Sequence, residues 1–292
     1  MRHEVFFKSK GNASEPADVK AFTDALNPVL SDTSDEKAVQ TWFNERTQPL
    51  EAALKRLTSY RIDTHERPVY GGRKPDAAHV RFHSPGVGAL LDAVNIVAIG
   101  EYKRRRPEPR FTDEEIGHAA SLLRDLIQAQ NRQSPFARGY LTDGCFIIFL
   151  EVKRVNERDV ISLTECLPLQ GLGGKYLASF YYSSLEQLGY DLPAIMVKQV
   201  EIKLDRVLGR GAQSIVYQGM LHGAHFAVKR FPDPVTCQQE FDNWVRLCTR
   251  KQTSGSDDGS SIGGMCVVCR CSPSTSKPTT AAGVVGCRFF IT

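Results

Sequence analysis

The chain has 292 residues, room for one or two domains, and its 41% hydrophobic and 24% charged residues form an ordinary globular mixture with enough apolar material for a sizeable core. The net charge of +4 permits a polyanionic partner without demanding one. Eight cysteines are too few for a disulfide scaffold at this length and fit a reducing compartment.

The opening MRHEVFFKSKGNASEP lacks the apolar core of a signal peptide, and no run approaches the ~20 apolar residues of a membrane span. The expectation is an intracellular, soluble protein with no membrane partner. Residues 1–13 read as a flexible lead-in. Ser14 or Asn12 caps a helix running to about Leu30, with Val19, Phe22, Leu26 and Val29 at helical spacing. After the polar break SDTSDE, a second helix is predicted over Glu36–Ser59, carrying Val39, Trp42, Phe43, Leu50, Leu54 and Leu57, with Pro49 a potential kink. The region Pro68–Lys103 reads as three short strands near 68–71, 75–82 and 93–103. A long helix follows over Thr112–Gln130, where Thr112 and Glu115 have capping-box spacing. Arg138–Val152 reads as one apolar strand, with Asp143-Gly144 a turn signal, and 153–200 as a mixed segment with a turn at 171–174 and a helix near 175–188. Strands are predicted over 200–230 and a helix over about 236–249. From Thr253 the hydrophobic period is lost, and 18 of the last 40 residues are Ser, Thr or Gly, so this tail reads as disordered.

Two motifs carry chemistry. The first is Leu208-Gly-Arg-Gly-Ala-Gln-Ser-Ile-Val-Tyr217 followed by Phe226-Ala-Val-Lys229. Gly209 and Gly211 let backbone N–H groups approach nucleotide phosphates with no Cβ in the way. Val216 would lie on the adenine, Lys229 would reach the α- and β-phosphates, and Glu240 on the next helix would hold that lysine. The order of strand, Gly-rich loop, strand, Ala-Val-Lys and helix resembles the nucleotide-binding lobe of eukaryotic-type protein kinases, with Ser214 at the third glycine position. The resemblance implies ATP and Mg²⁺ as ligands. No His-Arg-Asp or Asp-Phe-Gly segment follows, so the base and metal ligand of phosphoryl transfer are missing and phosphotransfer is not expected.

The second motif is Pro75-Asp76, then, 25 residues on, Glu101-Tyr-Lys103. Strand geometry puts Glu101 and Lys103 on one face and Tyr102 on the other. Asp76 and Glu101 would share a Mg²⁺ ion, and Lys103 would orient the attacking water or stabilise the phosphorane charge. Glu15 and Glu51 are both candidates for a further acidic residue from an early helix. The basic cluster Lys103, Arg104, Arg105, Arg106 and Arg110 would hold a DNA backbone. This arrangement resembles the PD-(D/E)xK restriction-endonuclease-like superfamily, whose core order of helix, three strands, helix and strand is expected over residues 14–152. The early helix, the Lys74-Pro-Asp76 strand and the 116–130 helix leading to Gly139-Tyr-Leu-Thr-Asp-Gly144 are also similar to fungal-type protein kinases and to Crinkler-type proteins, in which an endonuclease-like domain precedes a kinase domain. In those proteins the helix after the strand often carries a Gln near its start, where this chain has Gly117-His118. No Leu-x-Leu-Phe-Leu-type translocation segment opens the chain.

The remaining signals have bland readings. Cys266, Cys269, Cys271 and Cys287 lack the second paired unit of a zinc knot. His79 and His83 read as strand or loop residues rather than ligands. Lys103–Pro107 also reads as a nuclear localisation signal, in competition with the nuclease motif for the same residues. The expected architecture is an α/β restriction-endonuclease-like domain with an extension (14–200), a partial α+β kinase N-lobe (201–250) and a disordered tail (251–292). Three functions follow: ATP binding without phosphotransfer, Mg²⁺-dependent cleavage of DNA, or an inactive truncated paralogue.

Overall fold

The computed structural model describes residues 17–26, 30, 34–53, 59–70, 72–81, 92–130, 136–156, 158–191, 194–197, 200–210, 214–221, 223–231, 238–240 and 242–243. The first 16 residues and the tail from Cys248 lie outside them, and so do His83 and the four clustered cysteines. The chain is mixed α/β and divides into two compact units, Met1–Asp191 and Leu192–Thr292.

In the first unit, α1 (Ala17–Ala25) and α2 (Glu36–Ala53) precede β1 (Tyr60–Asp63), β2 (Ala77–Val80) and β3 (Ile96–Tyr102). Then come α3 (Asp113–Gln130), β4 (Phe136–Thr142), β5 (Phe146–Val155), β6 (Arg158–Leu163), the two-residue β7 (Leu167–Pro168) and α4 (Gly174–Tyr181). The strands pair in the order β1-β2-β3-β4-β5-β6, with β7 also on β5. All pairs are antiparallel except β3 with β4, which run parallel because α3 carries the chain back across the sheet.

Several expectations change. The second helix has ended before Ser59, because Tyr60 already pairs with Val80 as the first residue of β1. Pro49 sits inside α2. The segment 68–71 contributes a lone bridge between Tyr70 and Arg73 in place of a strand. Arg138–Val152 is a hairpin of two strands. Its turn is made by Asp143, whose carboxylate accepts from the backbone N–H of Cys145 (2.9 Å) and Phe146 (2.7 Å), and by Gly144 at φ +83°. The predicted helix near 175–188 is the shorter α4.

The capping box is present as expected: Thr112 N–H donates to the Glu115 carboxylate (2.8 Å) and Glu115 N–H to Thr112 Oγ1 (3.3 Å). The stripe Ala119, Leu122, Leu123 and Leu126 buries α3 against Ala78, Ile99, Leu141, Ile148 and Leu150 of the sheet. The opposite face is aromatic, with Tyr140 edge-on to Phe180 (5.7 Å between centroids) and to His79 (5.6 Å). Covered on both faces and paired on both edges, β3 is buried at all seven positions.

The second unit is an antiparallel meander of β8 (Ala194–Val197), β9 (Val200–Arg210), β10 (Ile215–Leu221) and β11 (Ala224–Arg230), in the order β11-β10-β9-β8. Tyr217 and Val228 are directly opposite one another and fully buried. The described residues between 238 and 243 are helical, within the predicted 236–249 helix.

Candidate functional site

Asp76, the residue just before β2, and the end of β3 clamp each other's carboxylates. Tyr102 N–H donates to Asp76 Oδ2 (2.8 Å), and Asp76 N–H donates to Glu101 Oε1 (3.1 Å). Period-2 geometry then sends Tyr102 to the far face, where it is fully buried against the Phe43 ring at 5.2 Å. Lys103 extends the ladder by one bond to the Thr142 carbonyl (2.9 Å) and turns back over Glu101, its Nζ 3.3 Å from Oε2. The segment before Asp76 is fastened to α3 by Arg73, which holds Asp125 at 2.6 Å, and by Tyr70 Oη, which donates to the Leu122 carbonyl at 3.0 Å. Asp76, Glu101 and Lys103 are therefore brought together.

Two further side chains join them. Asp35 caps α2 by accepting from Ala38 N–H (2.7 Å), and Arg105 N–H donates to the Ser34 carbonyl (3.0 Å). These bonds hold the start of α2 beside the end of β3 and set Glu36 Oε2 3.7 Å from Lys103 Nζ. Glu36 is thus the acidic residue that an early helix brings to the site; Glu15 and the Glu51 side chain lie outside the described residues. His118, in the first half of α3, stands with Nε2 3.6 Å from Glu101 Oε2. The position at which the sequence departs from a Gln-bearing pattern is a position that faces the site.

Burial dominates the electrostatics. Glu101 is only 2% exposed, and desolvation together with the Asp76 charge pushes its pKa up to about 8, against the pull of Lys103. Desolvation also raises Asp76, to about 6, although the Tyr102 N–H and Lys103 act the other way. For Lys103, burial works against the ammonium, but Glu101, Asp76 and Glu36 outweigh it, and the net shift is upward. Burial and the charges of Lys103 and Arg73 lower His118, which keeps it neutral at neutral pH. Three carboxylates thus face a single ammonium.

The basic cluster divides. Arg104 and Arg110 are exposed, whereas Arg105 is buried, 3.4 Å from Asp143 and over the Phe146 ring, and Arg106 pairs with Glu115 at 2.7 Å. Arg105 is therefore an internal residue and not a DNA contact, and Lys103–Arg106 does not form the exposed basic stretch that a localisation signal needs. His79, read from the sequence as a strand or loop residue, lies in β2 and is fully buried, and desolvation and the Arg61 charge lower it to about 3, which makes it a neutral core residue. Among the described residues, no group of three or more His, Cys, Asp or Glu side chains is gathered tightly enough to hold a metal ion, and no helix is long and apolar enough to cross a membrane.

In the second unit, Gly209 lies opposite Val216, and Val216 opposite Lys229, so the three form one row across β9, β10 and β11. Lys229 forms an ion pair with Glu240, and its Nζ lies 5.1 Å from the centre of the Phe231 ring. Among the described residues, a Cβ added at Gly209 would meet no atom within 4 Å. Gly211 lies outside the described residues.

Over residues 36–133 the chain is similar to a family described as a domain of unknown function, DUF6826. The matched stretch contains Glu36, Asp76, Glu101, Lys103 and His118 and stops short of the second unit. No curated protein and no solved structure matches the chain.

Proposed function

We propose that the first unit is a Mg²⁺-dependent nuclease acting on DNA, with a restriction-endonuclease-like core. The observation that carries this reading is the reciprocal clamp between Asp76 and Glu101, with the Lys103 ammonium 3.3 Å from the Glu101 carboxylate. Two buried carboxylates that repel each other, with Glu36 adding a third negative charge nearby, favour a divalent cation. Mg²⁺ takes one or two carboxylates and completes its octahedron with water and substrate phosphate, so the donor set suits it without a preformed cage. A bound Mg²⁺ would lower the pKa of an attacking water. Lys103, protonated throughout the neutral range, holds positive charge where the phosphorane oxygens develop their negative charge. Arg104 and Arg110 are free to meet the nucleic-acid backbone. The order helix, three strands, helix, strand over α2 to β4 supports the same fold reading. The test is cleavage of plasmid and single-stranded DNA with Mg²⁺. Wild type should nick, and Lys103→Ala should lose about 100-fold or more. Equal survival of DNA with both proteins would sink the reading.

A second reading concerns the second unit alone: a kinase-lobe-like nucleotide site formed by Gly209, Gly211, Val216, Lys229 and Glu240. The row of Gly209, Val216 and Lys229 supports it. A thermal shift with millimolar ATP and Mg²⁺, lost in Lys229→Ala, is the expected result; no shift in wild type would remove it.

A further inference from the structure

The two oxygens of the Glu101 carboxylate have different neighbours. Oε1 accepts from the Asp76 backbone N–H at 3.1 Å and is committed to the sheet. Oε2 faces two side chains from different elements, the Lys103 ammonium at 3.3 Å and His118 Nε2 at 3.6 Å. The strand register explains why an imidazole from α3 meets this oxygen. Glu101 lies opposite Leu141, and Leu141 opposite Ile148, so the three side chains share one face of the sheet. α3 covers that face, since Leu141 and Ile148 belong to one core with Leu122, Leu123 and Leu126.

α3 is fastened on both sides of His118. One turn earlier, Glu115 takes the Arg106 guanidinium at 2.7 Å. One turn later, the Leu122 carbonyl accepts from Tyr70 Oη at 3.0 Å. The His118 backbone is thus fixed beside the carboxylate pair, while its side chain is 50% exposed and free to turn. The ring adds nothing to the buried stripe of the helix, and its approach to Oε2 is too long for a hydrogen bond. The separation is close to what a shared ion requires. Two ligands at right angles on an ion with bonds of about 2.1 Å stand about 3.0 Å apart, so the gap closes with about 0.6 Å of movement. Mg²⁺ has no use for a nitrogen there, because it takes oxygen ligands. An imidazole suits first-row transition ions, and two carboxylates keep the oxygen-rich, octahedral character that Mn²⁺ shares with Mg²⁺.

We propose that His118 is a nitrogen ligand of the metal held by Asp76 and Glu101, and that this ligand makes the site prefer Mn²⁺ to Mg²⁺. The inference rests on the metal-bearing site of the cleavage reading above and changes which ion that site takes. Among the described residues the three donors form no closed cage. The imidazole closes onto an ion that the carboxylates attract, and water and substrate phosphate fill the remaining positions. Lys103 has a second carboxylate to turn towards as the ion takes its place on Oε2, namely Glu36 at 3.7 Å.

The test is Mn²⁺ binding to the full chain without DNA, read by electron paramagnetic resonance. Spin-echo modulation of bound Mn²⁺ reports the nitrogen nucleus of a ligated imidazole. Wild type should show that nitrogen, and His118→Gln should not. The signal of free Mn²⁺ gives affinities in titrations against Mg²⁺, and the preference for Mn²⁺ should fall about tenfold or more in His118→Gln. Because His118 is on the surface, His118→Gln should melt with wild type when no metal is present, which separates a lost ligand from a lost fold. Mn²⁺ bound by wild type without a nitrogen signal overturns the inference. So does a nitrogen signal that survives in His118→Gln, since another histidine then supplies it, and so does an unchanged preference between the two ions. Each of these leaves the cleavage reading to its own assay with DNA. Wild type that binds neither Mn²⁺ nor Mg²⁺ sinks the cleavage reading as well.

Discussion

Glu101 shows how one residue sets a trade between stability and chemistry. Its folded pKa lies well above the usual value because burial and Asp76 disfavour its charge. Between about pH 4.5 and 8 the folded state holds a proton that the unfolded chain has lost, so this group's contribution to stability falls as pH rises through that window, by about 1.4 kcal/mol per unit. His79 acts in the opposite sense. Its depressed pKa leaves the unfolded chain with the extra proton between about pH 3 and 6.5, so stability is lost there as pH falls. The two effects cancel between about pH 4.5 and 6.5, Asp76, raised to about 6, tilts that range downward as pH rises, and the protein without metal should be less stable at pH 8 than at pH 5. Glu101→Gln should raise Tm at pH 9 and change little at pH 5, as followed by thermal unfolding across that range; a Glu101→Gln protein that melts below wild type at pH 9 would contradict the assignment. Arg105 and Arg104 give a companion contrast. Arg105→Ala should lower Tm, since it removes a buried guanidinium between Asp143 and Phe146. Arg104→Ala should leave Tm within about a degree and flatten the salt dependence of DNA binding by roughly one phosphate. Neither difference between these neighbours is visible in a run of four basic residues, because it depends on the Asp143 turn almost 40 positions away.

At the scale of elements, Gly100 is the tightest point of the site. A Cβ there would lie 2.4 Å from the Tyr140 ring, which Phe43, His79, Phe149 and Phe180 surround. Gly100→Ala should cost about 1–3 kcal/mol of overpacking and lower Tm by several degrees, and it should reduce cleavage further because Glu101 is the next residue. Much of this geometry was legible beforehand. The alternation of Glu101, Tyr102 and Lys103, the capping box of α3 and the Asp143-Gly144 turn are local patterns, and each was read from neighbouring residues. β1 was not legible. Its inward-facing residue is Arg61, buried on Thr47 Oγ1 (2.6 Å), Tyr181 Oη (3.1 Å) and Tyr102 Oη (3.2 Å), so the strand carries no apolar alternation. Glu36 was missed for a related reason: its place depends on a backbone bond between Ser34 and Arg105, which no spacing announces.

For the molecule as a whole, the two proposed sites draw on separate units with no residue in common. They should dissociate cleanly in the full chain. Lys103→Ala should abolish DNA cleavage and keep the thermal response to ATP, while Lys229→Ala should do the reverse. Loss of both activities in either variant would mean that the sites are coupled or that the variant has not folded, and circular dichroism separates those cases.

The parallel pairing of β3 with β4 has a consequence for how the protein comes into being. Asp76 and Glu101 belong to an antiparallel pair of neighbouring strands and can meet early. The backbone bond that carries Lys103 past the end of β3 is made to Thr142, and it must wait until α3 has been synthesised and folded back. Closing that crossover is slow compared with forming a hairpin. During synthesis there is thus an interval in which the two acidic groups are assembled before the Lys103 backbone is fixed beside them. In a chain that lacks β4, Glu101 should keep its proton at neutral pH, and the capacity to cut nucleic acid should appear only after β4 has docked.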